Sequence, residues 1–440
     1  MSPTMFRPSD TDLLLRLMRI DTASPLETGR LPAVAEAQSL YADYARSLGF
    51  AVVHHAPPPP ESLVGDDVPL PVRSAAERFG PAFLESQPNL VLSLGPPRPP
   101  ERTVMFNFHM DTVSGTVPIG QTGTRITGRG AADMKGPGVA LLSAVREALR
   151  RDARLADRVT ILIQCPAGEE GGAMGIHGTR VLTDLGFVGA LNVFAEPSGG
   201  VYFDRATCTM TARIEVLGEG STDDDPAAGH NATILLGFLA QHLCEELADH
   251  VETHGGKLCI AGLHTGESHN RVYGAGQLLV NLAYGSADLG RQIGEWVETS
   301  ATRGLAEFAA RFARHALTRR TAREAHEILR VTWLKRGLPP LANRHAPLEQ
   351  LLARTGLVRN PDDRPDRAFT CDAIWGQGPD RYAIVFGPGS LGANGCHTER
   401  EFIDLDDLDV YVGRVADVIG TFAASAGRSS EKEVGDVDHD

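Results

Sequence analysis

The sequence predicts an α/β fold: a mostly parallel sheet with flanking helices, interrupted by an inserted α+β domain. Three observations carry this prediction. A short apolar, β-prone run ending in a polar cluster recurs four times. Residues 104–108 lead into His109-Met110-Asp111, 159–165 into Gly168-Glu169-Glu170, 190–195 into Glu196-Pro197, and 382–386 into a Gly-rich loop carrying His397. Helix-forming stretches follow the first two of these clusters, the rhythm of a largely parallel sheet. Between about 205 and 336 the texture changes to longer alternating strands and long helical runs. Finally, 440 residues exceed what one core usually organises, so two domains are expected.

Taken in order, Ser9-Asp10 ahead of the apolar-periodic run 13–18 reads as a capped helix, and 31–48 as a second helix. Four consecutive prolines, 57–60, open a polar stretch to about Gln87 that reads as an irregular excursion. Residues 89–94 form a strand. After the strand 104–108, a Gly-Arg-Gly turn brings Asp133 to the mouth of an amphipathic helix over 134–150, where the helix N-terminus favours a carboxylate. A helix is expected over 174–185. In the inserted region, 208–217 alternates like a half-exposed strand, 232–247 is a long amphipathic helix, 278–284 is a strand, and 290–329 is helical and arginine-rich. The boundaries that follow are 1–204 with 337–425 for the first domain, 205–336 for the insertion, and a polar tail without fixed structure over 426–440.

Composition excludes several classes. A formal net charge of −14 opposes binding to nucleic acid or anionic membrane as the main activity, so an anionic substrate must be met by locally placed cations. No apolar run approaches the ~18 residues of a membrane span, and no basic segment precedes an apolar core, so a cytoplasmic location is expected. The six cysteines are scattered without a Cys-x-x-Cys pair, which argues for reduced thiols.

The chemistry lies in the set of strand-end residues. In open α/β sheets ligands bind beyond the carboxyl ends of the strands, and every polar cluster above is at such an end. Singly, a His-x-Asp or a Glu-Glu pair says little. Two histidines, one Asp and two Glu together would give each of two metal ions a mixed imidazole and carboxylate shell, which suits zinc and tolerates cobalt or manganese. Two such ions sharing a carboxylate would activate a water and polarise the bond to be cleaved. One more carboxylate, Glu169, is present to shuttle the proton.

HMDT at 109–112, GRGAADMKG at 128–136, AGEEGGAMG at 167–175, EP at 196–197 and GCHTEREF at 395–402 stand in an order and spacing that resembles the M20 family of metallopeptidases and deacylases. That family includes aminoacylases, acetylornithine deacetylase, succinyl-diaminopimelate desuccinylase and glutamate carboxypeptidase. The resemblance implies that His109 and Glu196 hold one ion, Glu170 and His397 the other, and that Asp133 bridges them. Asp111 would orient His109, and Glu169 would be the acid–base catalyst. The insertion would be a lid and dimerisation domain, making a homodimer expected.

Within the insertion the pattern departs from the family. Aligning Pro226, Gly229, Asn231 and Ala232 on the lid motif puts Ser221 where a histidine belongs, with His230, His264 and His269 as possible substitutes. Asn270 and Arg271 are expected substrate contacts, Arg271 toward a carboxylate. Tyr284 stands where an arginine often ends the next lid strand, and the late Thr-Asp motif is modified to Thr370-Cys371-Asp372-Ala373. The expected function is a dinuclear zinc amidohydrolase acting on an N-acyl amino acid or small peptide. The alternatives are an M20-like enzyme with an unusual biosynthetic substrate or a non-hydrolytic direction, and a metal-binding module without catalysis.

Overall fold

The computed structural model describes residues 4–361 and 368–435. The principal strands are β1 (Ala51–Ala56), β2 (Asn89–Leu94), β3 (Thr103–Asn107), β4 (Thr160–Cys165), β5 (Leu191–Pro197), β6 (Cys208–Leu217), β7 (Lys257–His264), β8 (Ala275–Tyr284), β9 (Leu329–Lys335) and β10 (Tyr382–Gly387). The principal helices are α1 (Pro8–Met18), α2 (Val34–Ser47), α3 (Lys135–Arg151), α4 (Ala232–Thr253), α5 (Ala287–Phe312), α6 (Arg319–Ile328) and α7 (Leu405–Gly435). The chain divides into two compact units. One contains the residues up to Val64, Pro71–Ala206 and everything from Leu341 onward; the other contains Gly65–Leu70 and Thr207–Pro340.

The first unit is built on a six-stranded sheet in the order β1-β2-β4-β3-β5-β10. The pairings β4/β3, β3/β5 and β5/β10 are parallel, while β1/β2 and β2/β4 are antiparallel. The parallel strands read as continuous apolar runs because both faces of this part of the sheet are covered: every residue of β3, β4, β5 and β10 is buried. Register is what matters for function. Asn107 lies opposite both Gln164 and Phe194, and Phe194 opposite Val385, so the four parallel strands end level with one another. Their polar sequels therefore emerge along one edge.

Helix α3 fits close to that edge. It packs against α1 and α7, and the ring of Phe108, one residue before His109, lies where a Cβ at Gly138 would come within 2.4 Å of it. The Tyr41 hydroxyl of α2 donates to the Gly138 carbonyl at 2.7 Å, and its ring centroid is 4.8 Å from that of Phe108. A helix-interior glycine weakens a helix, but here it buys the close approach that holds the end of β3.

Several elements differ from the sequence expectation. The excursion 57–87 is not irregular throughout: it contains helices Leu70–Phe79 and Ala82–Glu85, with Val72, Ala75, Phe83 and Leu84 buried. The four prolines end at Pro60, and Pro71 falls in a first helical turn, where a missing N–H costs little. The helix expected over 174–185 is confined to Thr179–Asp184. Met174 (φ 54°) and Gly175 (φ 66°) adopt left-handed backbone conformations, which end helical continuity before it starts. Helix α7 continues through Gly435, so the expected tail is helical over most of its length, as its run of Ser, Glu and Lys permits; residues 436–440 lie outside the described residues.

The second unit carries an antiparallel sheet in the order β7-β8-β6-β9, with α4, α5 and α6. Alternate residues of β6 (Cys208, Met210, Ala212, Ile214, Val216) are buried, the half-covered pattern its sequence shows. No described helix is long and apolar enough to cross a membrane.

Candidate metal centre

At the end of β3, His109 is fully buried. Its Nδ1–H donates to the main-chain carbonyl of Asp111 at 2.8 Å, which directs Nε2 toward Asp133 Oδ1 (3.1 Å) and Glu196 Oε1 (3.4 Å). His397 approaches the same aspartate from the other side, with Nε2 3.0 Å from Asp133 Oδ2 and 3.4 Å from Glu170 Oε1. One carboxylate thus offers one oxygen to each of two imidazoles. His109, Glu170, Glu196 and His397 follow parallel strands that end level, and Asp133, in the turn at the N-terminus of α3, meets them at that edge.

Asp111 is placed differently from the expectation. Its carboxylate Oδ1 is 3.6 Å from His109 Nδ1, too long for a hydrogen bond; the ring is held by the Asp111 carbonyl instead. The carboxylate accepts the main-chain N–H of Glu170 (3.0 Å) and of Glu169 (3.4 Å). It therefore orients the histidine through the backbone and clamps the Glu169-Glu170 turn through the side chain.

Charge crowding dominates the electrostatics. Burial raises Asp133, but hydrogen bonds from His109 and His397 outweigh it and hold this carboxyl below its ordinary range. Burial, then the neighbouring Asp133 charge, pushes Glu170 up to about 7 and Glu196 up to about 8. Glu169, half-buried, is raised well above its usual range by loss of water contact and then by Glu196. The hydrogen bond to Asp133, then the Glu170 carboxylate at 3.4 Å, carries His397 up to about 11. Without a compensating cation this cluster holds its charge together by retaining protons.

The residues fit metal ions. Two groups share Asp133: His109, Asp133 and Glu196, and Asp133, Glu170 and His397. Glu170 Oε1 is a buried carboxylate oxygen that makes no well-formed hydrogen bond, His397 Nε2 standing off at 3.4 Å, and is an acceptor that a cation would satisfy. Imidazole nitrogen with carboxylate oxygen is a zinc, cobalt or manganese donor set.

Two further residues at the site, Asp372 in the modified late motif and Glu401, have no role assigned from sequence. Asp372 is buried, takes a hydrogen bond from the Thr179 hydroxyl, and lies in one donor group with Glu196 and Cys371; the modified Thr370–Ala373 motif was its only signal. Glu401 is fully buried. Its Oε1 accepts the N–H groups of Ala132 (3.1 Å) and Asp133 (3.2 Å), and its Oε2 pairs with Arg129 at 2.6 Å. In sequence it belongs to the GCHTEREF run at 395–402, in which His397 alone is assigned a role. Because Glu401 aims Asp133 from the chain that carries His397, Glu401→Gln is expected to lower the unfolding temperature and weaken metal retention, with about 3–5 kcal/mol at stake for one broken buried pair. Calorimetry and metal titration measure both; an unchanged metal affinity would remove Glu401 from this role.

Asn270 and Arg271 belong to the second unit. Asn270 is exposed and its Oδ1 accepts the Ser268 hydroxyl at 3.0 Å; Arg271 is exposed on a two-residue strand opposite Thr222. His230 is occupied as a brace: Nδ1 accepts the Glu219 N–H at 2.8 Å and Nε2 meets Glu324 at 2.8 Å. It is thus not free to replace the missing lid histidine. Tyr284 donates its hydroxyl to the Leu338 carbonyl at 2.6 Å and is likewise engaged.

A parallel sheet whose strand ends bring two histidines onto one carboxylate, with further buried glutamates, defines a metal-dependent hydrolase of the α/β class. The model of Peptidase family M20/M25/M40 matches residues 105–421, and the chain belongs to that family. A protein of Aeropyrum pernix, provisionally named LysW-lysine/LysW-ornithine hydrolase, is 28% identical over 219 residues, covering 49% of this chain and 56% of that relative. The match therefore spans little more than half the length of the relative. Among solved structures, an M20 family metallo-carboxypeptidase from Sulfolobus solfataricus is similar with a TM-score of 0.65 at 12% identity, over 95% of this chain and all (100%) of that one. A tripeptidase from Staphylococcus aureus is similar with a TM-score of 0.63 at 16% identity, over 94% and 98% of the respective chains. At these identities the structures establish the fold.

Proposed function

We propose that this protein is a dinuclear metal amidohydrolase that removes an acyl group from an amino acid or the C-terminal residue from a small peptide. The observation that carries the reading is Asp133, with one oxygen 3.1 Å from His109 Nε2 and the other 3.0 Å from His397 Nε2. His109 and Glu196 would hold one ion, Glu170 and His397 the other, and Asp133 both; zinc is the proposed metal, with cobalt or manganese also suited. When bound, the ions supply Lewis acidity toward the scissile carbonyl and a water activated for attack.

The chain's own residues do the rest. Asp111 fixes the His109 ring and the Glu169-Glu170 turn; Glu401 fixes the Asp133 turn. Glu169 accepts the proton of the attacking water and delivers it to the leaving nitrogen. The second unit is proposed as a lid and dimerisation domain, with Asn270 and Arg271 contacting substrate and β7 at a sheet edge available for pairing between copies. A cytoplasmic location accords with six unpaired cysteines.

Ser221 in the lid motif and the engaged Tyr284 favour a second reading of specificity, an acylated substrate other than those of the familiar relatives. The test is a mass-spectrometric screen of the metal-loaded protein against N-acyl amino acids and dipeptides, with a metal-stripped control. Metal-dependent release of free amino acid is expected. No turnover across the panel at two bound metals per chain would overturn the proposed substrate class and leave the second reading.

A further inference from the structure

Beside the metal cluster, within the first unit, lies a separate polar cavity of about 240 Å³. Its lining includes Thr22, Arg129 and Lys135, with Arg19, Asp21 and Arg30 among its exposed residues. We propose that this cavity is a binding site for a small oxyanion, independent of how the metal centre is read.

The argument starts from Lys135. Its side chain is buried, and its ammonium donates to the carbonyls of Leu17 (3.1 Å) and Ile20 (3.2 Å), leaving one of its three N–H groups without an acceptor. Among the described residues no carboxylate lies within ion-pair distance of it. A lysine is almost never fully buried unless paired, because the charge loses water without gaining a counter-charge.

Two more buried donors are unused. Thr22, only 1% exposed, has a hydroxyl with no hydrogen-bond partner. Arg129 spends one terminal nitrogen on Glu401 and the other on the carbonyls of Ser114 and Thr398, while its Nε–H has no acceptor. Three residues that line the cavity, Lys135, Thr22 and Arg129, thus each carry a buried donor without an acceptor.

The balance of charge points the same way. Four cationic side chains line the cavity against one carboxylate, Asp21, and that carboxylate is already engaged by Arg30 at 3.5 Å and by the Ala23 N–H at 3.2 Å. Asp21, Glu401 and Asp111 act on the buried ammonium only from beyond ion-pair distance, and water filling the volume would bring no closer counter-charge. A tetrahedral or carboxylate oxyanion supplies both the charge and several acceptor oxygens. Its occupant would rest on Arg129, the residue that carries Glu401, so binding would stiffen the turn that presents Asp133.

Crystals of the metal-loaded protein soaked in selenate locate the ion by anomalous scattering. Calorimetric titration with inorganic phosphate and, separately, with acetate distinguishes a tetrahedral anion from a carboxylate. Anomalous density between Lys135 Nζ, Arg129 Nε and Thr22 Oγ1 is expected, with a phosphate or acetate affinity that falls about tenfold or more in Thr22→Val and in Lys135→Met. Anion bound only at the metal ions would keep its affinity in both variants and overturn the proposal, as would a wild-type cavity that holds water alone in selenate. Should Lys135→Met fail to fold, Thr22→Val, which removes only the hydroxyl, and the wild-type map still decide.

Discussion

Glu169→Gln is expected to lower kcat by about 10²–10⁴-fold, the usual contribution of a positioned acid–base group, while leaving two metals per chain and a nearly unchanged unfolding temperature. The glutamine has the same shape and keeps the main-chain hydrogen bond to Asp111 Oδ1 at 3.4 Å, so the turn survives. What it loses is the ability to take and return a proton. Glu169 is suited to that task because loss of water contact and the neighbouring Glu196 and Glu170 charges raise its proton affinity when no cation is present, and bound cations would lower it again. Steady-state kinetics on a hydrolysed N-acyl amino acid, with metal content measured alongside, tests the assignment. A loss below tenfold at full metal loading would exclude Glu169 as the proton carrier, and with it the proposed division of roles at the turn.

Metal removal should make the fold sensitive to pH in a defined direction. In the metal-free folded chain Glu170 and Glu196 titrate near 7 and 8, against an ordinary value of 4.5, and His397 near 11 against 6.5. Burial causes the first two shifts, and the hydrogen bond to Asp133 with the nearby Glu170 carboxylate the third. All three groups bind protons more tightly folded than unfolded, so their stabilisation is complete at low pH and is lost as pH rises through the folded values. The depressed Asp133 has the opposite sign, but its contribution is lost only in strong acid, outside this window.

Scanning calorimetry of stripped protein from pH 5 to 8.5 is therefore expected to show a falling unfolding temperature. With metal the fall should vanish, and the gap between loaded and stripped protein should widen with pH, because metal binding displaces the retained protons. A stripped protein whose unfolding temperature rises over this range would show that the cluster is not the crowded, proton-retaining set described.

How much of this was legible in the sequence follows from the range of each interaction. The strands 89–94 and 208–217 were readable to the residue, since an apolar run or a period-two alternation is a local signal. The helix expected over 174–185 was misread because helix-forming composition cannot show the positive φ of Met174 and Gly175, imposed by the turn after Glu170. Residues 57–87 were misread because four prolines spoke louder than the short amphipathic run behind them.

At the site, the sequence by itself determined the donor chemistry and its address. His109, Glu170 and Glu196 each follow an apolar run by a few residues, so their emergence at strand ends is a matter of local pattern. Which atoms meet was decided only by the tertiary structure. The sharing of Asp133 between two histidines depends on the level register of parallel strands distant in sequence and on the turn at the N-terminus of α3 that brings Asp133 to their edge. The support from Glu401 crosses 268 residues to the Asp133 N–H, and in sequence nothing separates that glutamate from its solvated neighbours. The exchange of roles at Asp111, carbonyl to histidine and carboxylate to the Glu169-Glu170 turn, is likewise a product of packing. Periodicity reports which face of an element is buried; partners on other elements are chosen by the closure of the core, whose long-range contacts leave no local trace in the chain.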